Sequence, residues 1–162
     1  MRLRLVLVGS VVTLLGAAGD SSAQTATQVV RFQVNAINQL SVTGNPAPMV
    51  INSATPGTAP TAVTAAGTSY AITTNESNQK ITASIDQALP TGVTLEVTLA
   101  PPGGATSAGA VPLSTADADV VTGISSVSAA SLPIIYRLSA TTNVQMSAPE
   151  ARTVIFTIVS GS

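Results

Sequence analysis

Few side chains in this sequence can do chemistry. The chain has no His and no Cys, which removes the usual proton shuttle, the thiolate nucleophile and the commonest zinc ligands. A Ser–Lys arrangement would have to use Lys80, the only Lys, and its place beside a polar turn marks it as a solvated charge. Paired carboxylates can hydrolyse glycosides, and Asp117-Ala118-Asp119 supplies a pair. These two fall within one short loop, however, with no aromatic residue nearby to hold a sugar. A Ca²⁺ ion takes about six to eight oxygens, and no glycine-centred ligand loop accompanies the pair, so a turn before a strand is expected. Asn75-Glu76-Ser77 matches the N-x-S/T glycosylation pattern, yet Asn and Ser are also ordinary turn residues. No enzyme activity, metal or cofactor is expected.

With so little reactive chemistry, the informative signal is the spacing of apolar residues. Ser69 to Ala100 reads as three short strands joined by two polar turns. Tyr70 and Ile72 alternate with polar and small residues, then Ile81, Ala83 and Ile85, then Val93, Leu95, Val97 and Leu99. A period of two is what a strand shows when one face is buried. Asn75 to Asn78 and Leu89-Pro90-Thr91-Gly92 punctuate the three, since Pro fixes φ and Gly permits φ > 0. A β-meander is expected, with Thr94, Glu96 and Thr98 on its wet face. Tyr70 and Tyr136 open similar patterns, and each is expected to bury its ring with the hydroxyl paired near a sheet edge.

The same style extends along the chain. Val30, Phe32 and Val34 alternate with Val29, Arg31, Gln33 and Asn35, which predicts a strand over about 28–35. Ile37, Leu40 and Val42 carry a second short strand. Residues 44–67 contain Pro46, Pro48, Pro56 and Pro60, which forbid a long regular element, leaving at most an edge strand at Met49-Val50-Ile51. Further strands are expected at 110–113, at 119–127 with Gly123 marking a bulge, at 132–140 and at 151–160. In the last, Val154, Phe156 and Ile158 share one face. That makes an all-β fold of about eight or nine strands, an immunoglobulin-like two-sheet β-sandwich.

Residues 1–23 stand apart. Arg2 and Arg4 precede an apolar run from Leu5 to Leu15, and Ser21-Ser22-Ala23 offers small residues for cleavage before Gln24. This is the pattern of a signal peptide, leaving 24–162 as a single domain that is secreted, extracellular or at the cell surface, with no membrane span. That part carries Arg31, Lys80, Arg137 and Arg152 against Glu76, Asp86, Glu96, Asp117, Asp119 and Glu150, a formal charge of −2. No basic cluster exists to bind nucleic acid. Charged residues are 8% of the whole sequence, against about 25% in ordinary soluble domains, so the surface must be Ser, Thr, Asn and Gln. Such a surface is poorly defended by charge repulsion and suits a protein that assembles. Without Cys no disulfide is available, and the fold must rest on a core of Val, Ile, Leu and Ala.

The apolar run at 5–15, the extended opening strand QVVRFQVN, the Thr/Ser/Val-rich middle and the closing strand RTVIFTIVS together resemble secreted bacterial surface β-sandwich proteins of the fimbrial, pilin-like kind. The resemblance implies a non-enzymatic structural subunit of a surface fibre or extracellular matrix, self-associating or joined to another surface protein. Thr153 to Val159 carries no charge, Pro or Gly, and a strand apolar on both faces must be covered or paired along its edge. The expected assembly strand is the N-terminal one, with Val30, Phe32 and Val34 entering a neighbour's apolar groove near Val154, Phe156 and Ile158. The alternative is that residues 25–35 pair within their own domain. A different function class, a monomeric extracellular domain that binds carbohydrate or protein, would call for exposed aromatic rings at Tyr70 and Tyr136.

Overall fold

The computed structural model describes residues 24–146 and 148–161. The expected signal peptide at 1–23 lies outside the described residues. Among those described there are nine strands and no helix: β1 (Asn38–Thr43), β2 (Val63–Thr74), β3 (Gln79–Ile85), β4 (Val93–Leu99), β5 (Thr106–Ser107), β6 (Val111–Pro112), β7 (Ala118–Ile124), β8 (Val127–Ala140) and β9 (Val154–Ser160). They form two antiparallel sheets, one of five strands ordered β1-β2-β8-β4-β6 and one of four ordered β5-β7-β3-β9. Tyr70 and Ile72 of β2, Leu95, Val97 and Leu99 of β4, and Ile134 and Tyr136 of β8 meet Ile81, Ala83 and Ile85 of β3 and Val120, Val121 and Ile124 of β7 in one buried cluster. The two sheets therefore share a core, as in a β-sandwich. Residues 24–33 form a separate unit from 34–161.

The expected meander is not what forms. From β2 onward, every successive strand changes sheet, so β2, β3 and β4 are never hydrogen-bonded neighbours. Alternation fixes which face of a strand is buried but is silent on which strand lies beside it. The turns carry that choice. The side-chain carbonyl of Asn75 accepts from the Ile37 amide (2.8 Å) and its side-chain amide donates to the Asn35 carbonyl (2.8 Å), while the Ser126 amide donates to the Glu76 carbonyl (2.9 Å). These bonds hold the turn across the end of both sheets instead of folding β3 back on β2. The Asn75 amide is thereby committed to backbone partners, which a glycan on it would displace.

Two long strands, β2 and β8, pair along the middle of the five-stranded sheet. Each shifts its apolar phase partway along. In β2 the buried positions run Ala65, then Thr68, Tyr70 and Ile72, with Gly67 at φ 94° and a register shift between Ala65 and Thr68. In β8 the inward positions pass from Val127 and Ala129 to Leu132, Ile134 and Tyr136, with Ser131 at φ 57° and a second register shift opposite. One extra residue in a strand moves every later side chain to the other face. That is why the sequence pattern starts strands only at 68 and 132, when β2 and β8 begin at Val63 and Val127. Gly123 does mark an irregularity: φ is 72° there, beside a register shift in the β3–β7 pairing.

Three other expectations are corrected. Residues 28–35 belong to no strand, because strand competence needs a ladder partner as well as alternation. Met49-Val50-Ile51 is also strandless; Met49 packs against the core from within the proline-rich loop. β5 was not foreseen, since its two residues carry no readable period. The chain turns at Ser125-Ser126, the latter at φ 42°, so the strand expected at 119–127 ends at Ile124.

Candidate assembly cleft

The charged groups hold strands and loops in place. Lys80 on β3 reaches Asp119 on β7 (3.0 Å), and Arg137 on β8 meets Glu96 (2.6 Å), its directly opposite partner on β4. Lys80 is thus a cross-strand ion pair, not a solvated turn charge, and Asp119 is spent on it. Arg152 donates to the Ala88 carbonyl (3.0 Å) and to Glu150 (2.5 Å). Asp86 accepts from the Thr153 amide (2.9 Å), and its own amide donates to the Thr153 carbonyl (3.1 Å). These last four bonds clamp the entry of β9. Among the described residues no group of three or more His, Cys, Asp or Glu could hold a metal ion, and no helix is long and apolar enough to cross a membrane.

β9 is an edge strand. It pairs with β3 from Val154↔Ile85 to Ser160↔Gln79, and among the described strands no second one is hydrogen-bonded to it. Val154, Phe156 and Ile158 point inward and are half-buried, whereas Ile155 and Val159 face outward and stay exposed. Alternation therefore reads β9 correctly on both faces. An edge strand without charge, Pro or Gly is open to pairing with another chain.

Beside this edge lies a cleft of about 1220 Å³. Its walls include Val42 of β1, Leu95 of β4, Tyr136 and Leu138 of β8, and Val154 and Phe156 of β9, with residues from 44–54, 144–146 and 148–150 around the mouth. Its lining is mixed, with Thr68, Asn52, Gln145 and Thr153 beside these apolar side chains.

The two tyrosines differ there. Tyr70 is 1% exposed, and its hydroxyl donates to the Ala100 carbonyl at 2.6 Å. Burial pushes its phenol up to about 12. Tyr136 is 5% exposed, and burial raises its phenol as well. Among the described residues its hydroxyl has no hydrogen-bond partner, and it is not sealed from solvent. Since Tyr136 borders the cleft, that is where its polar tip is left. The expected pairing near a sheet edge holds for Tyr70 and fails for Tyr136. Both rings are buried, so neither is presented on a surface as a sugar platform.

Of the residues expected to mediate assembly, Val154, Phe156 and Ile158 are brought side by side on the inner face of β9. Val30, Phe32 and Val34 are in no strand and are 72%, 91% and 77% exposed. Val29 joins them at 86%. Sequence reasoning missed Leu95, Tyr136 and Leu138 as parts of the cleft. Their alternation marked them as inward-facing, but the end of the core that would be left open depends on strand order. Comparison with known protein families, with curated proteins and with solved structures finds no match to this chain.

Proposed function

We propose that this chain is a secreted, non-enzymatic structural subunit of a bacterial surface fibre or extracellular matrix, an immunoglobulin-like sandwich that assembles by strand exchange. The single observation that carries the reading is the exposure of the alternating segment Val29–Val34. Four apolar side chains held in water over six residues are unfavourable, since fully burying each is worth about 1.5–3 kcal/mol. The recipient is the β9 edge of a neighbouring copy, where main-chain hydrogen bonds supply affinity and the alternate side chains Val30, Phe32 and Val34 enter its cleft. The low charge of the whole sequence, 8%, fits a surface meant to approach others of its kind.

The test uses the chain from Gln24 and a variant lacking residues 24–33. This deletion keeps the Asn35 carbonyl and the Ile37 amide that Asn75 binds. The expected result is concentration-dependent association of the longer chain and a folded monomer for the shorter one, read by analytical ultracentrifugation and circular dichroism. A longer chain that stays monomeric at high concentration contradicts strand exchange.

A further inference from the structure

One turn ties down both the root of the arm formed by residues 28–34 and the end of β9. Asn75 holds the Asn35 carbonyl and the Ile37 amide through its side chain, at 2.8 Å each, and its backbone amide donates to the Ile37 carbonyl (3.3 Å). Across the same turn the Gly161 amide donates to the Asn78 carbonyl (2.6 Å), and Ser160 pairs with Gln79. The arm is therefore rooted at the end of the domain where β9 finishes, and Val34 adjoins a pinned residue. Running parallel to β9, the arm would finish beside Ser160. Residues 35–37 span about 10 Å, the spacing of two packed sheets, so one chain could make that pairing alone. Running antiparallel, Val34 must lie beside Val154 at the other end of a seven-residue strand, about 20 Å away. The pinned root leaves no slack to carry it there.

We infer that residues 28–34 add antiparallel to β9 of a second copy of this chain, a pairing that no chain can make with itself. The inference rests on the strand-exchange reading above and adds its direction. Val30, Phe32 and Val34 read the same from either end, so side chains do not choose between the two directions; the tether does. A segment meets its own edge at roughly millimolar effective concentration, so a favourable parallel pairing would close within each chain before a second copy could compete. No such closure exists: among the described strands only β3 is hydrogen-bonded to β9, and the three apolar side chains stay exposed. Every ladder between described strands is antiparallel, the pairing that is slightly more stable per residue. Asn75 is then a positioning residue. It denies the arm its own edge in the favoured direction and leaves it for a neighbour, whose β9 entry comes to lie beside the donor's 75–78 turn.

The sequence has no Cys, so introduced thiols read the direction. A chain from Gln24 carrying Val29→Cys is mixed under mild oxidation with an acceptor that lacks residues 24–33 and carries Val159→Cys or Ile155→Cys. All three positions are exposed, and circular dichroism checks that each variant folds. Antiparallel addition brings Val29 beside Val159, so the Val159→Cys acceptor should be captured and the Ile155→Cys acceptor largely spared. A second measurement lengthens the tether: about twelve Gly and Ser residues inserted between Val34 and Asn35 reach about 20 Å, with both Asn75 side-chain bonds left in place. That chain should pair with its own β9 and sediment as a monomer up to about 1 mM, the effective concentration of its own arm, where the unmodified chain associates. Capture at Ile155→Cys, or unchanged association of the lengthened chain, overturns the direction while strand exchange stands. If the unmodified chain never associates and neither acceptor is captured, strand exchange itself fails and the direction falls with it.

Discussion

Residues 28–35 (QVVRFQVN) and 153–160 (TVIFTIVS) carry a similar signal: β-branched residues around one Phe, without Pro or Gly. One becomes β9, pairing with β3 along its whole length. The other enters no strand and leaves Phe32 91% exposed. The difference is not in propensity. β9 is clamped at its entry by Asp86 on Thr153 and by Arg152 on Ala88, and its inner face completes the shared core. Alternation makes a stretch able to be a strand; a partner edge makes it one.

The largest break in the comparison should come from shortening each Phe. Phe156→Ala removes a half-buried ring from the core side of β9 and should lower unfolding free energy by about 2–4 kcal/mol, at or below the range for large-to-small core changes. Phe32→Ala should change it by less than about 0.5 kcal/mol, as surface substitutions do. Urea denaturation of both variants at low protein concentration reads the contrast. A comparable loss for Phe32→Ala would mean that the N-terminal segment is already docked in the monomer.

Charge separates the two stretches differently. Phe32→Asp should leave monomer stability nearly intact while weakening self-association at least tenfold, because an unpaired carboxylate cannot follow the ring into an apolar cleft. Sedimentation velocity over a range of concentrations tests it, and unchanged association would remove Phe32 from the interface.

The tyrosines should show a smaller contrast. Tyr70→Phe strands the Ala100 carbonyl and should cost about 1–2 kcal/mol of stability. Tyr136→Phe gives up no bond in the monomer and should be close to neutral. The pH dependence has a definite sign. The folded Tyr70 phenol sits at about 12, above its ordinary 10, so the unfolded chain releases its proton first. Stability should hold through neutral pH and fall as pH rises from about 10 towards about 12. Thermal melts across that range read the effect, and it should be reduced in Tyr70→Phe.

Much of the fold was legible in the sequence, and the illegible part has physical causes. The inward faces of β3, β4 and β9 follow directly from Ile81-Ala83-Ile85, Leu95-Val97-Leu99 and Val154-Phe156-Ile158. The first halves of β2 and β8 were hidden because Gly67 and Ser131 each mark a shift in alternation, and a broken period looks like a loop. Sheet order was out of reach, since which strand lies beside which depends on pairings far apart in the chain, such as Thr64 with Arg137. The cleft inherits that difficulty. Its walls come from β1, β4, β8 and β9, and only Phe156 with its strand neighbours could be named beforehand. Tyr136 was recognisable as a buried ring, but its place on the cleft wall is a fact of tertiary geometry alone.

Under strand exchange, residues 28–34 form a strand only with another copy of the chain. Hydrogen–deuterium exchange of their amides, measured as a function of protein concentration, tests it most directly. Exchange should be fast in dilute protein, with protection that rises with concentration in step with slower exchange along the open edge of β9. Fast exchange at every concentration, or protection already complete in the dilute monomer, would contradict it.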